Sequence, residues 1–227
     1  MKKYKIIFLI GSFLIIHQFA KAQNTILGGQ IHGTFQLDAQ GYVEDTVIGA
    51  KKIAQGAAIN TFLDVIYTSG DFEAGMRYES FTPPLQGFDP RWEGSGIPYR
   101  YAKYTKENFE ITAGNYYEQF GSGMILRSYQ DWNLGFDNSI DGIRVKYKSK
   151  GFVLKGILGK QRYFWDKGNG LIRGLDADLS INEAFKKLEN MKTKFFLGGS
   201  LVSKYQIDQD PIIYSRKMYV HFLDELK

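Results

Sequence analysis

The chain has 227 residues, of which 44% are hydrophobic, with a formal net charge of +5 and no cysteine. The absence of cysteine excludes disulfide stapling, thiol catalysis and cysteine-ligated zinc. The length is sufficient for one large domain.

The first 22 residues, MKKYKIIFLIGSFLIIHQFAKA, have the layout of a secretory signal peptide: a basic start, an apolar run over residues 6–16 and small residues at 20 and 22. The run is shorter than the roughly 20 residues of a membrane-spanning helix. We therefore predict cleavage after Ala22 and one exported domain over 23–227. The leader holds four lysines and no carboxylate, so its removal lowers the net charge from +5 to +1. Nucleic acid is not expected as a partner, because it would require a clustered basic face.

Three segments alternate between apolar or small and polar residues over nine or ten positions: 31–40 (IHGTFQLDAQ), 72–80 (FEAGMRYES) and 174–182 (GLDADLSIN). A period of two indicates a strand with one apolar and one polar face. Weaker alternation predicts six further strands, at 56–68, 98–105, 109–120, 139–148, 152–160 and 193–205. Only residues 183–191 have a helical pattern.

The connections between these strands alternate in length. Long connections are predicted at 43–55, 81–97, 121–138 and 161–172, and short ones at 69–71, 106–108 and 149–151. Such an alternation is typical of outer-membrane barrels, which have short periplasmic turns and long external loops. The predicted fold is therefore all-β: an antiparallel, up-and-down, outer-membrane-type β-barrel of about nine or ten strands.

In a membrane barrel the apolar face of each strand contacts lipid and the polar face lines the lumen, whereas a soluble barrel has its apolar face inside. Aromatic residues near the predicted strand ends suit interfacial girdles: Tyr99, Tyr101, Tyr104, Phe109, Tyr116, Tyr117, Tyr163, Phe164 and Trp165. The predicted lumen-facing polar residues are His32, Asp38, Asp64, Glu73, Arg77, Glu79, Arg144, Lys146, Asp176 and Asp178. Because both charge signs are present, we expect cross-strand salt bridges that support the wall rather than an ion-selectivity filter.

No motif in the sequence predicts chemistry. Residues 121–123, Gly-Ser-Gly, lack the third glycine of a dinucleotide fingerprint and the lysine of a phosphate-binding loop, so they are interpreted as a turn into a long connection. His32 has no serine two positions away on its strand face, so a catalytic pair would need a residue from another strand. Asp137 and Asn138 do not match a calcium-binding loop and are expected to cap a turn. We expect no catalytic residue, no cofactor and no metal site.

Several segments carry a resemblance to a known family: GTFQLDAQ, DFEAGMRYES, TPPLQGFDPRWEGSGIPYRYA and, most specifically, YEQFGSGMILRSY within residues 113–145. Over residues 30–150 the chain resembles the N-terminal part of an uncharacterised (domain-of-unknown-function) family of Gram-negative outer-membrane β-barrel proteins. The resemblance implies an outer-membrane barrel and no catalytic residues. Relatives look longer, and the chain ends on Asp-Glu-Leu-Lys rather than an aromatic residue, so the expectation is an open barrel whose later strands are absent. Residues 212–223 could supply a tenth strand.

The expected function is that of a non-enzymatic outer-membrane barrel, acting as a pore, a small-solute passage or an envelope scaffold. Its expected partners are outer-membrane lipid and other envelope proteins. One alternative is a soluble exported β-protein that binds a glycan or an apolar ligand inside a cavity. A membrane-embedded hydrolase that uses His32 is a third.

Overall fold

The structure, a computed structural model, describes residues 28–49 and 56–206. The predicted signal peptide (1–22) and the predicted tenth strand (212–223) lie outside the described residues. In the part that is described, no helix has both the length and the apolar character needed to cross a membrane.

The described chain is all-β, and each of the nine strands predicted from alternation is present. The long strands are β1 (Gln30–Gly41), β2 (Ala57–Ser69), β3 (Phe72–Phe81), β4 (Gly94–Lys106), β5 (Phe109–Tyr116), β8 (Ile140–Ser149), β9 (Phe152–Tyr163), β10 (Asp166–Ser180) and β11 (Phe196–Tyr205); a small hairpin adds β6 (Gln130–Asp131) and β7 (Phe136–Asp137). The nine long strands form an antiparallel sheet in chain order. Within the described residues the sheet is open, because β1 does not pair with β11.

The predicted alternation of long and short connections is wrong after β9. Residues 161–172 are not a loop, since β9 and β10 continue to a two-residue turn at 164 and 165. Gly168 and Gly170, with a register shift between Lys167 and Leu171, interrupt the period of two that would have marked this part of β10 as strand. The next connection, 181–195, is long and contains the segment predicted to be helical.

Two further boundaries differ from the prediction. The strand predicted at 109–120 ends at Tyr116, after which the chain leaves the sheet. The helix predicted at 183–191 is divided into α1 (Ile181–Ala184) and a 3-10 turn at Lys186–Leu188, because Phe185 between them is extended.

The described residues up to Gly114 form one compact unit, and those from Asn115 form another. In the first unit β1 to β5 pair in order, and the connection between β3 and β4 covers their ends. Its 3-10 turn, Pro90–Trp92, places the centroid of the buried Trp92 ring 5.5 Å from the centroid of the Phe81 ring. Asp89 begins this turn and accepts hydrogen bonds from the Arg91 guanidinium and backbone N–H, which lowers the pKa of the Asp89 carboxyl to about 2.

In the second unit β8 to β11 pair in order, and residues 115–128 pack against them. The apolar core lies between this segment and the strands. It consists of Tyr116, Phe120, Leu126, Ile140, Ile157 and Ile172, with Val202 packed alongside.

Candidate functional site

Strand register in the second unit places two neighbouring rows of different polarity on opposite faces of the sheet. One row across β8, β9, β10 and β11 contains Lys146, Lys155, Asp176 and Ser200. The neighbouring position on each strand gives the row Val145, Gly156, Leu175 and Leu201. Because successive residues of a strand point to opposite sides, these rows lie on different faces. We call the first the polar face and the second the apolar face.

The apolar face is the exposed one. Leu175 is 58% exposed and Leu201 is 70% exposed, whereas Asp176 on the polar face is 1% exposed. Buried aspartates are rare, and large exposed apolar patches indicate a partner or a membrane. Polarity is therefore inverted between these two rows, while the buried core residues Ile140, Ile157 and Ile172 lie on the polar face beside Asp176.

The apolar face forms a belt of four rows, which we call the apolar belt. It extends along residues 143–149 of β8, 152–158 of β9, 173–179 of β10 and 197–203 of β11 in matching register. Seven residues per strand, at about 3.3 Å each, span about 23 Å, close to the roughly 25 Å apolar band of outer-membrane barrels.

The first unit has rows of the same kind, with the buried Phe62 and Phe81 also on its polar face. Leu63, Met76 and Tyr78 are exposed on one face, while Arg77 and the fully buried Glu79 lie on the other. Arg77 donates a hydrogen bond from its Nε to Asp64 Oδ1 over 2.8 Å, and its guanidinium lies over the Tyr99 ring. A charged pair between neighbouring strands thus stabilises the polar face.

A second group of paired side chains lies on the polar face, nearer the turns of the first unit. Glu73 accepts a hydrogen bond from the Tyr101 hydroxyl at 2.7 Å and pairs with Lys103 Nζ at 2.9 Å. The Tyr101 ring covers Gly75, where a built Cβ would lie 2.5 Å from the ring. An aromatic ring over a cross-strand glycine fills the space that its missing side chain leaves.

In the second unit a charged network joins the polar face to residues 117–128, which we call the cover segment. Glu118 pairs with Arg144 and with Lys155, each at 3.3 Å. Lys155 also approaches Asp176 Oδ2 at 3.2 Å, and the Ser200 hydroxyl donates to Asp176 Oδ1. Alternating charges neutralise one another in a site with little water. Five elements are thereby connected: the cover segment, β8, β9, β10 and β11.

An apolar anchor also holds the cover segment. Phe120 is 1% exposed, and its ring fills the space above Gly174 of β10, where a built Cβ would lie 2.6 Å from Phe120 Cε2. Lys155 Nζ donates a hydrogen bond to the carbonyl oxygen of Gln119, and Ser128 N–H donates to the carbonyl of Glu118. The segment therefore covers part of the polar face.

Replacing Gly174 with valine is expected to displace Phe120, because the new side chain would occupy the space of its ring. We expect a loss of about 1–3 kcal/mol in the free energy of unfolding, typical of overpacking. Gly199→Val is the matched control, since no atom lies within 4 Å of a Cβ built at Gly199. Equal stability of the two variants in denaturant titrations would contradict the anchor.

A third charged group lies beside the small hairpin. Arg162 Nη1 contacts Asp137 Oδ2 at 2.8 Å, and their side chains are 3% and 0% exposed. Asp137 also accepts hydrogen bonds from the Tyr117 hydroxyl and from Ser139 N–H. The last of these matches the turn-capping role expected of Asp137, while the buried ion pair was not anticipated.

The ten polar residues predicted from sequence fall into both units. Register places His32, Asp64 and Arg77 on the polar face of the first unit, and Lys146 and Asp176 on that of the second. The others have the same parity on their strands: Asp38, Glu73, Glu79, Arg144 and Asp178. Among them the structure joins Asp64 to Arg77 by a short pair and places Arg77 Nη1 4.0 Å from Glu79.

Sequence reasoning missed several residues that complete these groups: Tyr101, Lys103, Glu118, Lys155, Arg162 and Ser200. Alternation in β9 places Lys155 on the polar face, the same face as Ile157, so Lys155 could have been assigned to that face from sequence. Glu118 could not have been identified, because residues 109–120 were predicted to be one strand.

The aromatic residues predicted to form interfacial girdles differ in their burial. Tyr104, Phe109 and Tyr163 are exposed near strand ends. Tyr116 is instead buried in the core, and Tyr101 lies on the polar face over Gly75. These rings fill space beside glycines and polar groups. An aromatic residue near a predicted strand end could have either this packing role or an interfacial role, and the sequence does not distinguish them.

The described residues contain no cluster of three or more histidine, aspartate or glutamate side chains that could hold a metal ion. The described strands thus form a sheet with paired charges on its more buried face and apolar side chains on its exposed face.

Fold and site together define an all-β protein whose antiparallel sheet has an exposed apolar face and a sheltered charged face. A family model described as "Family of unknown function (DUF6029)" matches residues 1–222. The chain belongs to that family, which agrees with the uncharacterised family indicated by its sequence. A comparison with curated proteins gives no match.

Proposed function

We propose that the protein is a non-enzymatic β-barrel wall of the outer membrane, exported by a cleaved signal peptide and acting as a narrow small-solute passage or an envelope scaffold. The observation that carries the proposal is the inverted polarity of the strands. Leu175 and Leu201 are exposed in one row, while Asp176 in the neighbouring row is buried. Lipid stabilises such an arrangement and water does not.

The charged groups on the polar face favour a supporting role over ion selection. Asp64 is paired with Arg77, Glu73 with Lys103, and Asp176 with Lys155. Paired charges present little net field to a passing ion, whereas a selectivity filter uses rings of one sign. The cover segment further supports a narrow passage or a scaffold over a wide pore, since it occupies part of the polar face.

Fractionation of cells that express the full chain tests the proposal. We expect the mature protein in the outer-membrane fraction, resistant to carbonate or urea extraction and released by detergent. A periplasmic protein run through the same procedure is the control. Recovery of the mature protein from the soluble periplasm without detergent would overturn the proposal in favour of a soluble exported β-protein.

A further inference from the structure

The apolar face of the second unit contains a groove of about 460 Å³. Gly156 lies in it and lacks a side chain, while Ile143, Leu158, Leu175 and Leu201 line it. A leucine at position 156 would fill this space. The groove is open and lined mainly by apolar side chains, so a hydrocarbon chain suits it better than a sugar.

Two cations lie at the end of this groove. Arg173 lines it, and Lys160 lies one row further along the same face, since Arg173 pairs with Leu158 and Lys160 with Leu171. Diagonal neighbours of this kind are about 7–8 Å apart. Both side chains are exposed.

Neither cation is neutralised by a carboxylate within the described residues. Asp141, directly opposite Lys160, is paired with Lys167 at 2.5 Å. The two cations lie at the border of the apolar belt, where long basic side chains reach the head-group level of a bilayer. Arginine and lysine that lack a protein partner at that level are complementary to a phosphate group.

We propose that this site, which we call the lipid groove, binds one anionic phospholipid, with an acyl chain along Gly156 and the phosphate between Arg173 and Lys160. The inference rests on the proposed function, because it identifies which membrane lipid the apolar face selects. Charge complementarity at one end of the groove and the missing side chain in its floor together define the occupant.

The test uses the purified full chain in an uncharged detergent with a fluorescent phosphatidate as the probe. We expect saturable binding that is about tenfold weaker in the Lys160→Gln/Arg173→Gln variant, the loss expected when charge-assisted hydrogen bonds are removed. Gly156→Leu should also weaken binding, because it fills the groove while leaving both cations in place. Lys148→Gln, which removes an exposed lysine from the polar face, should bind normally.

Three outcomes would overturn the lipid groove: equal binding of a fluorescent phosphatidylcholine, unchanged binding by the double variant, or full competition by inorganic phosphate alone. The last would indicate an anion site without a lipid chain. Failure of the lipid groove is separable from failure of the proposed function. A protein that fractionates with the outer membrane but does not discriminate between the two lipids lacks only the groove, whereas a periplasmic protein that does discriminate lacks only the barrel role.

Discussion

Replacing Leu175 with arginine is expected to lower the free energy of unfolding by about 2–4 kcal/mol when the protein is folded in lipid vesicles, the cost measured for a charge near the centre of a barrel's lipid face. Leu175 is in the second of the four rows of the apolar belt and is 58% exposed. In water the same substitution would change stability by no more than about 0.5 kcal/mol, because the position is already exposed. Urea titrations in vesicles measure the difference.

Leu134→Arg is the matched control for this experiment. Leu134 is also an exposed leucine, but it lies in the connection between β6 and β7, outside the belt. We expect its stability to stay within about 0.5 kcal/mol of the unsubstituted protein. If Leu175→Arg were as harmless as this control in vesicles, the exposed leucines would not contact lipid.

Replacing Asp137 with alanine is expected to cost about 3–5 kcal/mol, because it leaves the Arg162 guanidinium buried without its counter-charge. The two side chains are almost fully buried and 2.8 Å apart. The Tyr117 hydroxyl and Ser139 N–H would lose an acceptor as well. Equilibrium unfolding of the variant measures the loss.

The double variant Asp137→Ala/Arg162→Met provides the check on mechanism. Removing both charges should recover most of the lost stability, since replacing a buried pair with apolar residues is often neutral. Glu189→Ala is the surface control: its pair with Lys150 spans 3.9 Å with both side chains 56% exposed, and we expect a loss of about 0–1 kcal/mol. If the double variant were no more stable than Asp137→Ala, the unpaired charge of Arg162 would not be the cause of the lost stability.

The strands could be predicted from sequence because alternation directly reports which residues share a face. Residues 72–80 predicted β3 almost to the residue. Prediction failed where glycine interrupts the pattern, as at Gly168 and Gly170 in β10, and where a segment of strand-like composition folds back on the sheet. Residues 117–120 are such a segment: Phe120 is stabilised by the space above Gly174, which is 54 positions away and absent from any local pattern.

Sequence could predict which residues lie on the polar face but not which of their side chains pair with one another. Asp64 and Arg77 were both assigned to it, and they are neighbours because the turn at residues 70–71 sets the register of β2 and β3. The Glu118–Lys155 pair joins residues 37 positions apart. Its formation depends on tertiary packing of the cover segment, and alternation within a single strand carries no information about that.

Lipid contact is the central claim, and single-cysteine scanning in vesicles tests it most directly. The chain has no cysteine of its own, so each introduced thiol reports one position. Fluorophores would be attached at 154, 175 and 201 on the apolar face and at 153, 178 and 200 on the polar face, in vesicles containing a lipid-borne quencher. We predict strong quenching at the first three positions and weak quenching at the other three. Equal quenching on both faces, or none at either, would contradict the account.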